Sequence, residues 1–198
     1  MPVRTDYIRS VLERFEGRRV SAGYVPADAS GKPLGSSGVT VATGLDLGQQ
    51  TVASLEGMGL PAALIDRFRP YLGARQEEAR NMLAQSPLTL TPEEVERTDA
   101  AVHAKYIDET AELFGRAGFE TAPGDVQAVA VSLHYQFGSP WRRASPALGA
   151  AFEALRRGEY AAAADLLEDP SGWSPPHRQY LARRKAEAML LRQAEKKA

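Results

Sequence analysis

An almost uniformly apolar stretch, from Asp125 to Phe137, constrains the fold more than any other feature of this sequence. The helix that it predicts carries residues such as Val126, Val129 and Val131 around its circumference, and a helix that is apolar on nearly every side belongs in the middle of a core. Other elements must therefore cover it. With 198 residues and 43% hydrophobic composition, the chain can bury such a core as one domain or as two small lobes that share a helix.

Helical spacing recurs along most of the chain. It predicts a helix over residues 5–16 that ends on Glu16, and two short helices over residues 61–83 that are separated near Gly73. The run Thr91-Pro92-Glu93-Glu94 has the threonine, proline and glutamate of a capped helix start, so a long helix should follow to about Phe114, with Gly115 and Gly118 ending it.

The C-terminal third also has helical signals. We expect a helix that opens at Ser145-Pro146 and runs to Arg157, another over residues 158–168, and a last one from Ser174-Pro175 to the C-terminus. Residues 20–50 differ, because they are rich in glycine, serine, proline and β-branched types. Val39 and Val41 alternate there with Thr40 and Ala42, which predicts the only convincing sheet. The expected class is α+β and mostly helical.

Two carboxylates flank this β segment in a way that suits glycoside hydrolysis. Glu16 ends the first helix, and Asp46 lies in a turn between Gly44 and Gly48. A glycosidase needs one protonated carboxyl group to donate to the glycosidic oxygen and one ionised carboxylate to activate water or attack the sugar. Thr40 adds a hydroxyl nearby.

Each of these residues also has a plainer interpretation. Glu16 fits a helix-end carboxylate, although a negative charge there opposes the helix dipole, whose field favours the protonated form. Asp46 fits an ordinary turn aspartate that bonds its own backbone. Thr40 fits a strand residue with a packed methyl group.

Two segments resemble the active-site lobe of phage-type lysozymes, and more closely that of pesticin-family muramidases. They are Arg14-Phe15-Glu16-Gly17 and the run from Gly38 to Asp46, and the chain order Glu16, Thr40, Asp46 follows the pesticin family, whereas small phage endolysins have the order Glu, Asp, Thr. The resemblance continues into the C-terminal lobe through the segments Leu133–Gly138, Gly158-Glu159-Tyr160 and Trp173–Arg178.

This resemblance implies a lysozyme-like two-lobed fold with a small β-hairpin lobe and a helical C-terminal lobe joined by a long helix. The β-containing lobe would span approximately residues 17–90 and the inter-lobe helix residues 91–118. The helical lobe would combine residues 119–198 with residues 1–16.

The implied activity is hydrolysis of the β-1,4 bond between N-acetylmuramic acid and N-acetylglucosamine in peptidoglycan. In this reading Glu16 protonates the leaving oxygen, Asp46 stabilises or deprotonates the attacking water, and Thr40 holds that water in line. The resemblance favours inversion over a covalent intermediate.

Three further residues are candidate substrate contacts. Arg178 matches the position of an arginine near the acid in phage lysozymes, and we expect it to shape the site by positioning. The Gln136 amide and the Tyr24 ring are candidate sugar contacts, although packing explains Tyr24 almost as well.

Metal and nucleotide sites are not expected. His103, His134 and His177 are too scattered for a metal centre, and no Cys or HExxH pattern accompanies them. No phosphate-binding glycine motif follows a strand. We therefore expect an enzyme without cofactors, and no segment has the apolar length of a membrane span.

The charge distribution and the N-terminal residues indicate which partners the protein has and where it acts. The net charge is -1, with acids concentrated over residues 93–112 and bases over residues 178–197, and we interpret the basic C-terminal helix as a solvated surface. Residues 1–7 lack an apolar run, so we expect no signal peptide, synthesis in the cytoplasm, and assisted export to the periplasm or wall. Expected partners are peptidoglycan and a holin, secretion apparatus or inhibitor protein, with a monomeric state and no nucleic acid.

Two alternatives remain open. One is a wall-binding or partner-binding protein that no longer turns over, which the order of Thr40 and Asp46, the near-neutral charge, and Thr43 at a position where such hairpins usually carry glycine all favour. The other is a nucleic-acid binder that uses the basic C-terminal helix, although no interleaved aromatic pattern supports it.

Overall fold

The structure, a computed structural model, describes residues 3–16, 20–137, 146–173 and 180–196. Most of these residues are helical, and the remainder include a three-stranded antiparallel sheet in the order β1-β2-β3, so the α+β, mostly helical class is confirmed. The strands are β1 (Val20–Tyr24), β2 (Thr40–Ala42) and β3 (Leu45–Asp46). The helices are α1 (Thr5–Glu16), α2 (Val52–Gly57), α3 (Ala62–Phe68), α4 (Gln76–Gln85), α5 (Pro92–Phe114), α6 (Arg116–Thr121), α7 (Gly124–Phe137), α8 (Pro146–Arg156), α9 (Tyr160–Glu168) and α10 (Leu181–Glu195).

The chain divides into two compact units. The β-containing unit is Glu16–Lys105, and the helical unit combines Met1–Phe15 with Tyr106–Ala198. The long helix α5 contributes residues 92–105 to the first unit and residues 106–114 to the second.

The core of the helical unit surrounds α7, as its composition predicts. Residues 125–134 of this helix are all buried, and α7 packs against α8 and α10 while α9 packs against both of those helices. The Tyr7 hydroxyl of α1 donates a hydrogen bond to the Asp125 carboxylate at the start of α7. The first helix is thereby fixed to the central one, and it ends at Glu16 as predicted.

In the β-containing unit, strand β1 forms backbone hydrogen bonds with a short segment around residues 88–90. The Gly23 N–H of β1 donates to the Leu88 carbonyl at 2.7 Å, and the Leu90 N–H donates to the Ser21 carbonyl at 2.8 Å. Helices α3 and α4 are the two expected ones, and Gly73, at φ +78°, lies between them. The sequence patterns did not predict α2.

The start of α5 has the predicted reciprocal cap. The Glu94 N–H donates to the Thr91 hydroxyl at 3.2 Å, and the Thr91 N–H donates to the Glu94 carboxylate at 2.8 Å. Gly115, at φ +93°, ends the helix, but the prediction that Gly118 also ends it is wrong. Gly118 lies inside α6, because a new helix starts directly after Gly115.

The later helices agree with the predicted pattern in α8 and α9. Ser145 and residues 174–179, which carry the predicted starts of two helices, lie outside the described residues, as does Gly138. The interpretation of the C-terminal helix as a solvated surface is wrong for part of α10. Arg184 and Glu187 are both fully buried there, because each is the other's charge partner.

No helix among the described residues combines the length and the apolar character that a membrane span needs.

Replacing Thr91 with alanine should destabilise the protein. The substitution removes the side-chain acceptor for the Glu94 N–H, and loss of such a cap costs about 1 kcal/mol. Urea denaturation of the native and Thr91→Ala proteins measures the difference. Thr121→Ala is the matched control, because the exposed Thr121 hydroxyl donates only to carbonyls of its own helix; equal stability of the native and Thr91→Ala proteins would contradict the capping role.

Candidate active site

Three of the predicted site residues form a row across the sheet. Thr40 of β2 lies opposite Tyr24 of β1 on one side and opposite Asp46 of β3 on the other. Residues directly opposite on antiparallel neighbours direct their side chains to the same face. The sheet therefore brings Tyr24, Thr40 and Asp46 together on one face.

Asp46 is held by backbone donors from both sides. Its Oδ1 accepts hydrogen bonds from the Gly38 N–H at 3.0 Å and from the Gly48 N–H at 2.9 Å. Oδ1 also caps the short 3₁₀ helix Leu47–Gln49. Oδ2 has no hydrogen-bond partner among the described residues, so one carboxylate oxygen fixes the side chain and the other is available for chemistry.

The two glycines that bind Asp46 are in close backbone contact. A Cβ atom on Gly38 would lie 2.5 Å from the Gly48 Cα and 2.5 Å from the Ala74 carbonyl oxygen. A Cβ on Gly48 would lie 2.6 Å from the same carbonyl oxygen. Both positions therefore require glycine, because a side chain would not fit. Sequence reasoning missed this requirement at Gly38 and recognised Gly48 only as a residue that flanks the turn.

The turn between β2 and β3 is tied to α5. The buried Asp99 carboxylate accepts a hydrogen bond from the Thr43 N–H at 3.0 Å. The left-handed backbone conformations of this turn fall at Ala42 (φ 52°) and Gly44 (φ 121°), so Thr43 needs no glycine-like freedom. The position of Thr43 therefore does not favour an inactive hairpin, and Asp99 is a supporting residue that the sequence did not indicate.

Thr40 is nearly inaccessible, at 4% exposure. Its hydroxyl lies 3.4 Å from the Gly38 carbonyl oxygen, to which it can donate a weak hydrogen bond. A hydroxyl that donates to the backbone still has lone pairs with which to accept a hydrogen bond from water.

Glu16 and Asp46 both act on Tyr24. Burial raises the pKa of the Tyr24 hydroxyl, and the negative charges of Glu16 and Asp46 raise it further. Both carboxylates thus lie close enough to one phenol to oppose its ionisation. Tyr24 stays protonated at neutral pH, and the residue is 39% exposed, so it offers both a hydrogen-bond donor and an aromatic face.

Gln136 belongs to the helical unit, at the end of α7. Its Oε1 accepts a hydrogen bond from Nη2 of Arg184 at 2.7 Å, and its side chain is half-buried. Arg178, the predicted site-shaping residue, lies outside the described residues. In the described ranges, no three His, Asp or Glu side chains are grouped so that they could hold a metal ion.

A Gly38→Ala substitution should destabilise the protein strongly. The added methyl group would collide with two backbone atoms that cannot move independently, and such overpacking costs about 1–3 kcal/mol. Urea denaturation provides the measurement. Gly57→Ala is the matched control, because nothing lies within 4 Å of its added Cβ; if both variants had the native stability, the close approach at Gly38 would be refuted.

The shared electrostatic environment of Tyr24 can be tested by titration. Because a neighbouring negative charge disfavours the phenolate, Glu16→Gln and Asp46→Asn should each lower the pKa of Tyr24. Ultraviolet difference titration against the Tyr24→Phe protein isolates its signal. Glu56→Gln, which changes an exposed glutamate of α2, should leave the titration unchanged. An unaltered Tyr24 pKa in both site variants would show that the carboxylates do not converge on this residue.

Comparison with known families gives a match over most of the chain. The family model Pesticin, described as "bacterial toxin homologue of phage lysozyme, C-term", matches residues 6–156. A search among curated proteins finds no match. The matched range contains Glu16, Tyr24, Thr40, Asp46 and Gln136, and it ends before Arg178 and α10. Because the match covers more than half of the chain, this protein belongs to the pesticin family of phage-lysozyme homologues.

Proposed function

We propose that this protein is a muramidase that hydrolyses the β-1,4 bond between N-acetylmuramic acid and N-acetylglucosamine in bacterial peptidoglycan. The observation that carries the proposal is the cross-strand row of Tyr24, Thr40 and Asp46, whose tyrosine also lies within electrostatic reach of Glu16. Two carboxylates beside an aromatic face are the elements of a glycosidase centre. Membership of a family of lysozyme homologues supports peptidoglycan as the substrate.

In the proposed reaction Glu16 is the general acid. It occupies the last position of α1, where the helix dipole disfavours a negative charge, and its side chain is half-buried. Its carboxyl proton passes to the glycosidic oxygen as the bond to the anomeric carbon breaks. The leaving sugar departs with a new hydroxyl group.

Asp46 supplies the second carboxylate. Two N–H donors hold its Oδ1 in place, which leaves Oδ2 to accept a proton from water or to stabilise positive charge on the sugar ring. The turn-aspartate interpretation and the catalytic interpretation are thus compatible, because each uses a different oxygen of one carboxylate.

Thr40 is the proposed water-positioning residue. If its hydroxyl donates to the Gly38 carbonyl, its free lone pairs accept one hydrogen of the attacking water while Asp46 accepts the other. The water then directs its own lone pair at the anomeric carbon. The location of Thr40 between Tyr24 and Asp46 in the cross-strand row supports this role.

Substrate binding is assigned to Tyr24, Gln136 and Arg178. The exposed Tyr24 ring suits stacking on a sugar face, and the Gln136 amide suits an acetamido group. Arg178 is retained from the family resemblance as the site-shaping cation. Delivery to the wall would depend on a partner such as a holin or a secretion apparatus.

Release of new reducing ends from purified sacculi tests the proposal. The native protein should release them, and mass analysis should find fragments that end in reducing N-acetylmuramic acid. Glu16→Gln should lower the rate on the order of 10²- to 10⁴-fold, because general acid catalysis is lost. Glu56→Gln is the control, since it neutralises an exposed glutamate of the same unit.

Asp46→Asn separates the two interpretations of Asp46. Asparagine keeps an acceptor oxygen for the Gly38 and Gly48 N–H groups, so thermal stability should remain near the native value, whereas activity should fall with the charge. Full activity of Asp46→Asn would leave Asp46 as a structural residue. A folded native protein that sediments with sacculi but releases nothing would instead favour a wall-binding relative without turnover.

A further inference from the structure

The helical unit contains a buried ion network that no step of the proposed reaction uses. Glu187 of α10 and Arg184, one turn before it, are both inaccessible to solvent. Oε1 of Glu187 accepts hydrogen bonds from Arg184 Nη2 at 2.6 Å and from the Ser132 hydroxyl of α7 at 2.5 Å. Arg183 Nε lies 3.4 Å from the same oxygen. One carboxylate thus organises two adjacent arginines.

Stability alone is a weak reason for such a network. Removing charges from water is costly, and apolar residues of similar volume often serve a core equally well. Burial raises the pKa of the Glu187 carboxyl, whereas the charges of Arg184 and Arg183 lower it. The directions in which the two guanidinium groups extend suggest another reason.

The first arginine reaches the end of α1. The Arg183 guanidinium carbon lies 5.2 Å from the centre of the Phe15 ring, within the range of a cation–π contact. Its Nη2 also donates to the Ser132 hydroxyl at 2.9 Å, which fixes the guanidinium plane. Phe15 immediately precedes Glu16 in the last turn of α1. Arg183 therefore holds the residue next to the proposed general acid.

The second arginine reaches the proposed sugar contact. Arg184 Nη2 donates to Gln136 at 2.7 Å, and its guanidinium carbon lies 5.4 Å from the centre of the Phe137 ring. Because a guanidinium can only donate, the Gln136 atom that faces it must be the amide oxygen. The amide nitrogen is then left as a donor, which suits a carbonyl acceptor such as that of an acetamido group.

We propose that Glu187 is a positioning residue that controls the general acid through Arg183 and substrate binding through Arg184. The inference rests on the proposed function and extends it to specificity, since the fixed Gln136 amide selects sugars that present a carbonyl acceptor. Glu187 itself contacts neither the substrate nor the reacting atoms. Its effect is divided between two arginines with different targets.

Steady-state kinetics on soluble peptidoglycan fragments of defined length can separate the two branches. Arg183→Lys should lower kcat on the order of 10-fold with little change in KM, because the acid is misplaced. Arg184→Lys should raise KM on the order of 10-fold with little change in kcat, because the Gln136 amide is released. Glu187→Gln should change both constants. Arg192→Lys is the control and should change neither, because this half-exposed arginine of the same helix pairs with Asp165 and Glu168.

A double-mutant cycle tests the Arg183 branch more closely. Phe15→Leu removes the ring, so Arg183→Lys should have little further effect on kcat in that background. Circular dichroism and thermal denaturation check the fold of every variant, and the two lysine variants decide the matter if Glu187→Gln does not fold.

The outcomes distinguish this inference from the proposed function. Suppose that the native protein is active. If Arg183→Lys and Arg184→Lys then lower kcat and raise KM in the same proportion, or leave both constants unchanged, the positioning role is overturned. The muramidase proposal stands in either case. If the native protein is folded but inactive on every fragment, the proposed function has failed, and the positioning role fails with it.

Discussion

The double hydrogen bond to one oxygen of Asp46 is the interaction on which the candidate site depends. It joins the segment before β2, through Gly38, to the segment after β3, through Gly48, and it does so only because both glycines let their backbones approach closely. Asp46 is thereby held at the end of a two-residue strand that could not fix a side chain by itself. The same contact uses only Oδ1 of the carboxylate.

The row of Tyr24, Thr40 and Asp46 follows from that arrangement. Strand pairing puts the three residues opposite one another, while the Thr43 N–H bond to Asp99 anchors the turn in which Ala42 adopts a left-handed conformation. A non-glycine residue in that conformation stores strain, which commonly occurs at functional sites. The sheet is small, but contacts from outside its strands hold Asp46 and the adjoining turn in place.

Sequence patterns predicted the helices well because periodicity and capping are local. The end of α1 at Glu16, the cap at Thr91 and the buried helix α7 all follow from residues within a few turns of one another. The family resemblance likewise rested on short local runs. These signals were sufficient to select the candidate residues Glu16, Thr40 and Asp46.

What the patterns could not predict depends on contacts between distant segments. The close approach of Gly38 to Gly48 involves Ala74, and the support from Asp99 crosses 56 residues. Arg184 and Glu187 resemble any charged pair on a solvated helix, and only their burial against α7 distinguishes them. A single sequence contains no direct signal for such burial.

The most direct test of the central claim is a crystal structure of the Glu16→Gln protein with a peptidoglycan tetrasaccharide bound. We expect the scissile glycosidic oxygen to lie within hydrogen-bond distance of the amide at position 16, with the Tyr24 ring against a sugar and the Asp46 Oδ2 facing the opposite side of the anomeric carbon. A saccharide bound elsewhere, with Glu16 and Asp46 both remote from the glycosidic bond, would contradict it.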